Sequence, residues 1–169
     1  IGEYVVLKPV LVGAVFKASG NSMPASVQAK AIYMLQDLQR WRDYLEIPLR
    51  LPTDGTPFPI NTLLPMRCAV AAQKEGKGWE FCLALFHAYW GEGEDVSQPE
   101  ILTKVVTQVG LKVEPFFELA TSQANKDDVR SNVDEAVGRQ VFGAPAMFVG
   151  DEHFWGNDRL DFAIRAMKA

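Results

Sequence analysis

The pattern of apolar and polar residues predicts a short strand, then a long helical stretch, and finally a hairpin followed by a helix. Residues 4–10 are rich in β-branched and aromatic side chains, which is typical of a strand. Residues 11–23 include glycine, asparagine and serine, and they predict a loop. After Pro24, apolar residues recur at alternating spacings of four and three, which predicts a helix that ends before Pro48. The predicted inward face of this helix consists of Val27, Ala31, Met34, Leu38, Trp41 and Leu45.

Five more helices are predicted in the middle of the chain, after a proline-rich extended loop at residues 49–60. They cover residues 61–73, 79–90, 97–110, 114–122 and 127–140. Asn61 is placed to cap the first of them. The second is apolar on most sides, which predicts a buried central helix. Ser97 and Glu100 have the spacing of a capping box at the start of the third.

A hairpin and a helix complete the predicted order of elements. Two short strands, at residues 146–150 and 153–155, are joined by a tight turn. Asn157 or Asp158 is expected to cap the last helix. The predicted inward residues of that helix are Leu160, Ile164 and Met167. Because the helical block has no sheet partner of its own, we expect it to pack as an insertion onto a small sheet.

Composition indicates one folded domain and excludes several classes of partner. The chain has 169 residues, of which 48% are hydrophobic and 22% charged, so disorder is excluded for most of it. The net charge of −4, without a cluster of lysine and arginine, excludes binding to nucleic acid duplexes and disfavours anionic membranes. No apolar run approaches the ~18 residues that a transmembrane helix needs.

The cysteines and histidines carry no metal or disulfide signature. Cys68 and Cys82 lie in apolar stretches and do not form a CxxC pair, so we interpret them as two buried thiols in a reducing, cytoplasmic setting. His87 and His153 are far apart and lack further ligands at metal spacing, so no zinc site is expected. The four tryptophans are most simply core residues.

Two segments near the C-terminus are candidates for ligand binding, and each also has a purely structural interpretation. Pro145, which follows Gly143 and Ala144, is either a cis proline or a trans proline that starts an edge strand. Gly156, Asn157 and Asp158 begin a helix, whose free amides suit a carboxylate, and Asp158 suits an ammonium group. A simple helix cap is the alternative interpretation for these three residues.

A third candidate lies near the N-terminus. Asn21 follows a glycine and is either an ordinary turn residue or a ligand for an amide or carboxylate. Lys17 is either a solvated charge or an anchor for an acid.

These segments resemble one enzyme family. Residues 143–152 (GAPAMFVGDE) and 154–160 (FWGNDRL) look like the C-terminal signature of 2-hydroxychromene-2-carboxylate isomerases, which are glutathione-dependent relatives of kappa-class glutathione transferases and bacterial disulfide oxidoreductases. Residues 37–41 with 47–49, and residues 90–93, also resemble that family, so the resemblance covers the whole chain.

The resemblance implies an α/β, thioredoxin-like fold with a large α-helical insertion. Residues 1–21 and 141–169 would form the thioredoxin-like domain, and residues 22–140 the helical insertion. In this family a first strand leads into a helix whose N-terminus carries a serine, or a cysteine in redox relatives, and that group favours the thiolate of glutathione. The first strand of this sequence corresponds to the family's second, so the catalytic residue is unassigned. We therefore expect roughly 25 to 30 residues, one β-α unit, to be missing before Ile1.

The resemblance also implies roles for the C-terminal candidates. Ala144, before a cis Pro145, would pair its backbone with the cysteinyl part of glutathione. Asn157 and Asp158 would hold the γ-glutamyl end, with Gly156 allowing close approach.

The remaining candidates divide between glutathione and the substrate. Asn21 resembles a loop asparagine that contacts glutathione in the kappa-class relatives. Lys17 and Asn61 are the candidates for contact with the acidic substrate.

The expected activity is a glutathione-dependent cis–trans isomerisation of 2-hydroxychromene-2-carboxylate or a similar aromatic pyruvate-type acid, with glutathione as a recycled cofactor. One alternative is a kappa-like glutathione transferase. Others are a thiol-disulfide oxidoreductase, if the missing segment carries CxxC, and a non-catalytic protein that binds a thiol or a partner. Related enzymes are commonly homodimers, and the sequence carries no interface signal of its own.

Overall fold

The computed structural model describes residues 5–50 and 58–168, which form a mostly helical chain with one two-stranded antiparallel sheet. In chain order the elements are α1 (Val12–Ser19), α2 (Gln28–Leu45), α3 (Leu63–Lys74), α4 (Gly78–Phe86), α5 (Pro99–Gln108), α6 (Val113–Thr121), α7 (Gln123–Gly138), β1 (Ala146–Val149), β2 (Glu152–Trp155) and α8 (Leu160–Met167). Short 3₁₀ turns lie at Pro24–Ser26 and Asn157–Arg159, and a π-helical turn lies at His87–Gly91.

The predicted hairpin is confirmed. Strand β1 pairs with β2 in antiparallel register, with Ala146 opposite Trp155 and Val149 opposite Glu152. Gly150 takes a positive φ of 59° in the turn, a conformation that glycine adopts without steric cost. Helix α8 packs on this hairpin.

The inward face predicted for α8 is wrong in part. Leu160 and Met167 are exposed, and Ala163 is the residue of α8 that is buried. The reason is the width of the sheet, since two strands of four residues each cover little of a helix. Local periodicity indicates which face is apolar, but the extent of burial depends on the size of the surface opposite.

The predicted first strand (4–10) is not formed. Its first residue lies outside the described residues, and the others have no regular secondary structure and no strand partner in the described part of the chain. They are held instead by side chains of the helices, since Gln73 Nε2 donates to Leu7 O at 2.6 Å and Asn132 Nδ2 donates to Pro9 O at 3.1 Å. A β-rich composition favours a strand, but a strand forms only where a second one completes its hydrogen bonds.

The predicted loop at 11–23 is also wrong, because it contains helix α1. Val15 is 1% exposed, and α1 packs against α7. The helix ends at Gly20, which takes the left-handed conformation with φ 70°. The presence of Gly13 within this stretch, which lowers helix propensity, obscured a short apolar face formed with Val12 and Phe16.

Helix α2 ends before Pro48 as predicted, but it begins at Gln28 rather than at Pro24, and its predicted packing is wrong. Pro24 opens a 3₁₀ turn ahead of it, and it ends at Leu45, before Pro48. No residue of α2 is buried, because the described element it mainly contacts is its own preceding 3₁₀ turn. Residues 51–57 of the extended loop predicted after it lie outside the described residues.

The hydrophobic core lies among α3, α4, α5 and α6. Its largest members include Phe81, Leu102, Val105, Val106 and Phe116. Helix α4 is not buried on all sides as predicted, since Leu83 is 63% exposed and Phe86 is also exposed. The tryptophans are not core residues either, since none is fully buried.

Helix starts follow local hydrogen bonds. Asn61 Oδ1 accepts from Leu63 N at 3.0 Å, but Thr62 occupies the cap position of α3, so the predicted cap is one residue too early. The predicted capping box is wrong, because Ser97 Oγ donates to Asp95 Oδ1 at 2.6 Å and α5 starts after Gln98. Helices α3, α4 and α6 agree with their predicted positions, while α7 begins four residues earlier than predicted.

Candidate functional site

The loop between α7 and β1 presents unused backbone groups to solvent. The Ala144–Pro145 peptide bond is cis, as the resemblance implies. Ala144 is exposed, and its backbone N–H and C=O make no hydrogen bond within the described residues. Pro145 O accepts from Gly156 N at 3.0 Å, which joins this loop to the turn that follows β2. The two C-terminal candidate segments are therefore in contact.

Asn21 joins the same group of residues from the end of α1. Its Nδ2 donates to Phe142 O at 2.7 Å, directly before the cis-proline loop. Its Oδ1 accepts from Ser22 N at 2.8 Å, so the side chain is held in one orientation. The structure thus brings the three segments predicted to contact glutathione together through two hydrogen bonds. We refer to Asn21, Ala144, Pro145 and residues 156–158 as the joined group.

Gly143 and Trp155 support this loop and were missed by the sequence analysis. Gly143 is buried, and a Cβ atom on it would lie 2.7 Å from Trp155 Nε1. The Phe142 and Trp155 rings are also in contact, with centroids 5.0 Å apart. A glycine beside a proline usually indicates only a turn, so the sequence carries no signal for this close approach.

The turn after β2 leaves its polar side chains accessible. Gly156 has φ 99°, and a Cβ atom there would lie 2.6 Å from Asp158 Oδ1. The expectation that Asn157 or Asp158 caps the last helix is wrong, because Arg159 is at the cap position of α8 and makes no side-chain cap bond. Asp158 instead accepts from Arg159 Nη1 at 2.7 Å and is 54% exposed.

The two substrate candidates, Lys17 and Asn61, make no hydrogen bond to the joined group in the described part of the chain. Lys17 lies in the last turn of α1, exposed and without an ion-pair partner among the described residues. Asn61 lies at the start of α3, where it lines a cavity of about 200 Å³ with Leu63, Leu64, Arg67 and Ser97. Arg67 was missed by the sequence analysis, because an arginine in a helix is usually solvated.

A second cavity, of about 480 Å³, lies beside the hairpin, and its lining residues include Arg139, Phe148 and His153. The Arg139 guanidinium lies 3.6 Å from the centroid of the Phe148 ring and donates to Gly150 O at 2.7 Å. Phe148 in turn stacks on His153 with centroids 4.6 Å apart. This cavity contains none of the predicted site residues.

Neither thiol of the chain is prepared to act as a nucleophile. Burial raises the pKa of Cys68 from 9.0 to about 12. Burial also raises the pKa of Cys82, which is partly buried. Both are therefore protonated at neutral pH, and the interpretation of Cys68 as a buried thiol is confirmed.

The described ranges contain neither a membrane-spanning helix nor a metal cluster. No helix of residues 5–50 or 58–168 is long and apolar enough to cross a membrane. Within the same ranges, no three histidine, cysteine, aspartate or glutamate residues are arranged to hold a metal ion.

Comparison with known proteins gives consistent matches over nearly the whole chain. The profile of the DsbA-like thioredoxin domain matches residues 3–168. A 2-hydroxychromene-2-carboxylate isomerase of Sphingobium xenophagum is 34% identical over 163 residues, which cover 95% of this chain and 81% of the relative. Glutathione S-transferase kappa 2 of Caenorhabditis elegans is 30% identical over 166 residues, which cover 91% of this chain and 74% of that relative. The solved structure of a 2-hydroxychromene-2-carboxylate isomerase matches with a TM-score of 0.83 at 29% identity, covering 94% of this chain and 77% of that one.

Proposed function

Since the chain belongs to the family of DsbA-like thioredoxin domains, we propose that it is a glutathione-dependent isomerase of 2-hydroxychromene-2-carboxylate or a similar aromatic acid. Its fold is thioredoxin-like, and its named relatives are isomerases and glutathione transferases, so it is an enzyme of this group. The observation that carries the proposal is the joined group, in which Gly156 N donates to Pro145 O and Asn21 Nδ2 donates to Phe142 O.

The unused polar groups of the joined group fit the functional groups of glutathione. The free N–H and C=O of Ala144 would pair with the backbone of the cysteinyl residue. The γ-glutamyl end carries a carboxylate and an ammonium group, which Asn157 and Asp158 would bind respectively. The Asp158–Arg159 ion pair competes only weakly with binding of the ammonium group, because an exposed pair contributes only about 0–1 kcal/mol.

Glutathione would supply the reactive thiol, which adds to a conjugated carbon, allows the former double bond to rotate, and leaves again. The protonated thiols of Cys68 and Cys82 do not compete with it as nucleophiles. Lys17 and Asn61 remain the candidates for contact with the acidic substrate, and we assign no catalytic residue. The proposal includes a cytoplasmic location, since glutathione and thioredoxin keep thiols reduced there.

A second candidate function is conjugation, as in a kappa-like glutathione transferase. The 30% identity to the kappa 2 enzyme of Caenorhabditis elegans favours it specifically. Both activities would use the joined group to bind glutathione, and they differ in whether the thiol leaves the product. A homodimer stays a prediction, which sedimentation of the purified protein would test.

The direct test incubates the purified protein with glutathione and 2-hydroxychromene-2-carboxylate, followed by chromatography and mass spectrometry. An isomerase yields a product with the mass of the substrate, whereas a transferase yields one that has gained glutathione. If calorimetry shows glutathione binding but neither an isomer nor a glutathione conjugate forms, both activities are refuted and the glutathione site stands.

A further inference from the structure

The cavity at the start of α3 combines an apolar wall with a single charged residue. Its volume is about 200 Å³, and its lining residues are Asn61, Leu63, Leu64, Arg67 and Ser97. Benzene is accommodated by a cavity of about 150 Å³, so this one has room for an aromatic ring with a small polar group. The two leucines supply an apolar surface for such a ring.

The guanidinium of Arg67 has no partner among residues 5–50 and 58–168. Within the described residues it makes no ion pair, hydrogen bond or ring contact, although its side chain is partly buried. The backbone of the same residue is fixed, since Asn125 Nδ2 donates to Arg67 O at 2.9 Å and Asn125 is fully buried. A guanidinium has five N–H donors in a planar fork that matches a carboxylate, so a partly buried unpaired one favours an anionic ligand.

Asn61 adds a second donor at the same cavity. Its Oδ1 already accepts from Leu63 N at 3.0 Å, which leaves Nδ2 free to donate. The nearby carboxylate of Asp95 is already engaged, because Ser97 N and Ser97 Oγ donate to it at 3.0 and 2.6 Å. Gln98 Nε2 donates to the other oxygen of Asp95 at 2.9 Å. The unused groups of the cavity are therefore donors, as a carboxylate ligand requires.

We propose that Arg67 and Asn61 bind the carboxylate of the aromatic acid substrate, with the side chains of Leu63 and Leu64 against its ring. Arg67 supplies the charge and a bidentate contact, and Asn61 supplies a further hydrogen bond. This assignment rests on the proposed function, since it names the part of the chain that recognises the acid of that reaction. It also makes a claim of its own, because an aromatic carboxylate binds here whether or not it reacts.

The test compares benzoate with benzamide, which has the same ring and no charge, by NMR titration of the purified protein. We expect Arg67→Gln to weaken benzoate binding about 10- to 100-fold and to change benzamide binding less than about twofold. Arg67→Lys restores the charge without the fork, so it recovers part of the affinity. The KM for 2-hydroxychromene-2-carboxylate rises with the same rank order, while the affinity for glutathione stays unchanged.

Two further variants test whether a loss of benzoate binding is specific or results from a loss of structure. Asn61→Asp keeps the oxygen that accepts from Leu63 N but places a carboxylate beside Arg67, so it also weakens benzoate selectively. Arg130→Gln is the matched control, because this α7 arginine is 73% exposed and pairs with Asp127 at 3.5 Å. It leaves benzoate and benzamide binding unchanged. If Arg67→Gln does not fold, Asn61→Asp decides the question alone.

Several results would overturn the assignment. They are no benzoate binding by the unaltered protein, equal losses for benzoate and benzamide, or an unchanged KM in Arg67→Gln. An inactive protein that still binds benzoate in an Arg67-dependent manner would refute the proposed isomerisation and leave the carboxylate site standing. If the protein is active but its KM is unchanged in both the Arg67 and the Asn61 variants, the carboxylate site is refuted and the proposed isomerisation stands.

Discussion

Two glycines, Gly143 beside the joined group and Gly156 within it, let the backbone approach neighbouring side chains closely. A Cβ atom at Gly143 would lie 2.7 Å from Trp155 Nε1, and one at Gly156 would lie 2.6 Å from Asp158 Oδ1. Gly156 also has a φ of 99°, which side-chain-bearing residues rarely adopt. A side chain at either position therefore displaces a neighbour on which the site depends.

We expect Gly143→Ala to lower the free energy of unfolding by about 1–3 kcal/mol, because the indole ring beside it is rigid and cannot yield easily. Gly13→Ala is the matched control, since Gly13 lies in α1 with nothing within 4 Å of an added Cβ atom. That substitution raises the free energy of unfolding by about 0.4–1 kcal/mol. Urea denaturation of the two variants measures both effects, and equal changes would contradict the predicted contact with Trp155.

Substitution of Asp158 tests whether a single charge contributes to the proposed glutathione site. We expect Asp158→Asn to weaken glutathione binding by about 1–3 kcal/mol, because an amide cannot neutralise the ammonium group. Asp161→Asn removes a charge from the next turn and should leave the affinity unchanged. Calorimetry with glutathione measures both, and similar affinities for the two variants would remove Asp158 from the site.

At the scale of elements, the side chain of Asn21 connects the end of α1 to the cis-proline loop. Asn21→Ala removes the donor to Phe142 O and the acceptor for Ser22 N, so we expect a loss of about 1–2 kcal/mol in unfolding free energy. Glutathione affinity should fall in the same variant, since the loop that carries Ala144 loses its tie. Ser19→Ala, which alters only an exposed 3.4 Å bond in the same turn, is the control and should change neither quantity.

Elements whose signals are local were predictable from the sequence. The hairpin and the end of α2 before Pro48 each depend on a few neighbouring residues, and the structure has them as predicted. The strand at 4–10 was not predictable in the same way, because a strand needs a partner that no local pattern specifies. Helix α1 was missed since Gly13 interrupts a face of only a few apolar residues.

The candidate site was predictable to a similar extent. The joined group was named from the sequence, and the structure connects its segments by hydrogen bonds at 2.7 and 3.0 Å. Gly143 and Trp155 were missed, because their close approach depends on how the hairpin returns toward the loop. Arg67 was missed because an arginine in a helix is usually solvated, and only the three-dimensional surroundings reveal that its guanidinium is unpaired.

At the scale of the whole molecule, the hydrophobic core and the joined group are built from different parts of the chain. The core lies in α3–α6, while the joined group is formed by the end of α1, the cis-proline loop and the turn before α8. This separation agrees with the division into residues 22–140 and the two flanking segments, which stays a prediction. Core stability and ligand binding can therefore be measured by separate substitutions.

The thiol of Cys68 makes the stability of this core depend on pH. Cys68 is fully buried, and burial raises its pKa from 9.0 to about 12. Between these values the unfolded chain releases a proton that the folded protein retains. The contribution is thus complete below pH 9.0 and is lost as the pH rises toward 12.

We therefore expect the unfolding free energy to fall with rising pH above 9.0, by up to about 1.4 kcal/mol per pH unit from this group. Cys68→Ala removes the thiol, so its stability, although lower overall, should decline less steeply over the same range. Cys82→Ala is the control. Burial also raises the pKa of this thiol, but Cys82 is only partly buried and is therefore less desolvated than Cys68. The curve of stability against pH for Cys82→Ala should therefore stay closer to that of the unaltered protein. Urea titrations at a series of pH values give the slopes, in which the contributions of other alkaline groups cancel between variants. Parallel curves for the unaltered protein and Cys68→Ala would mean that the thiol ionises as easily in the core as in water, which its burial does not allow.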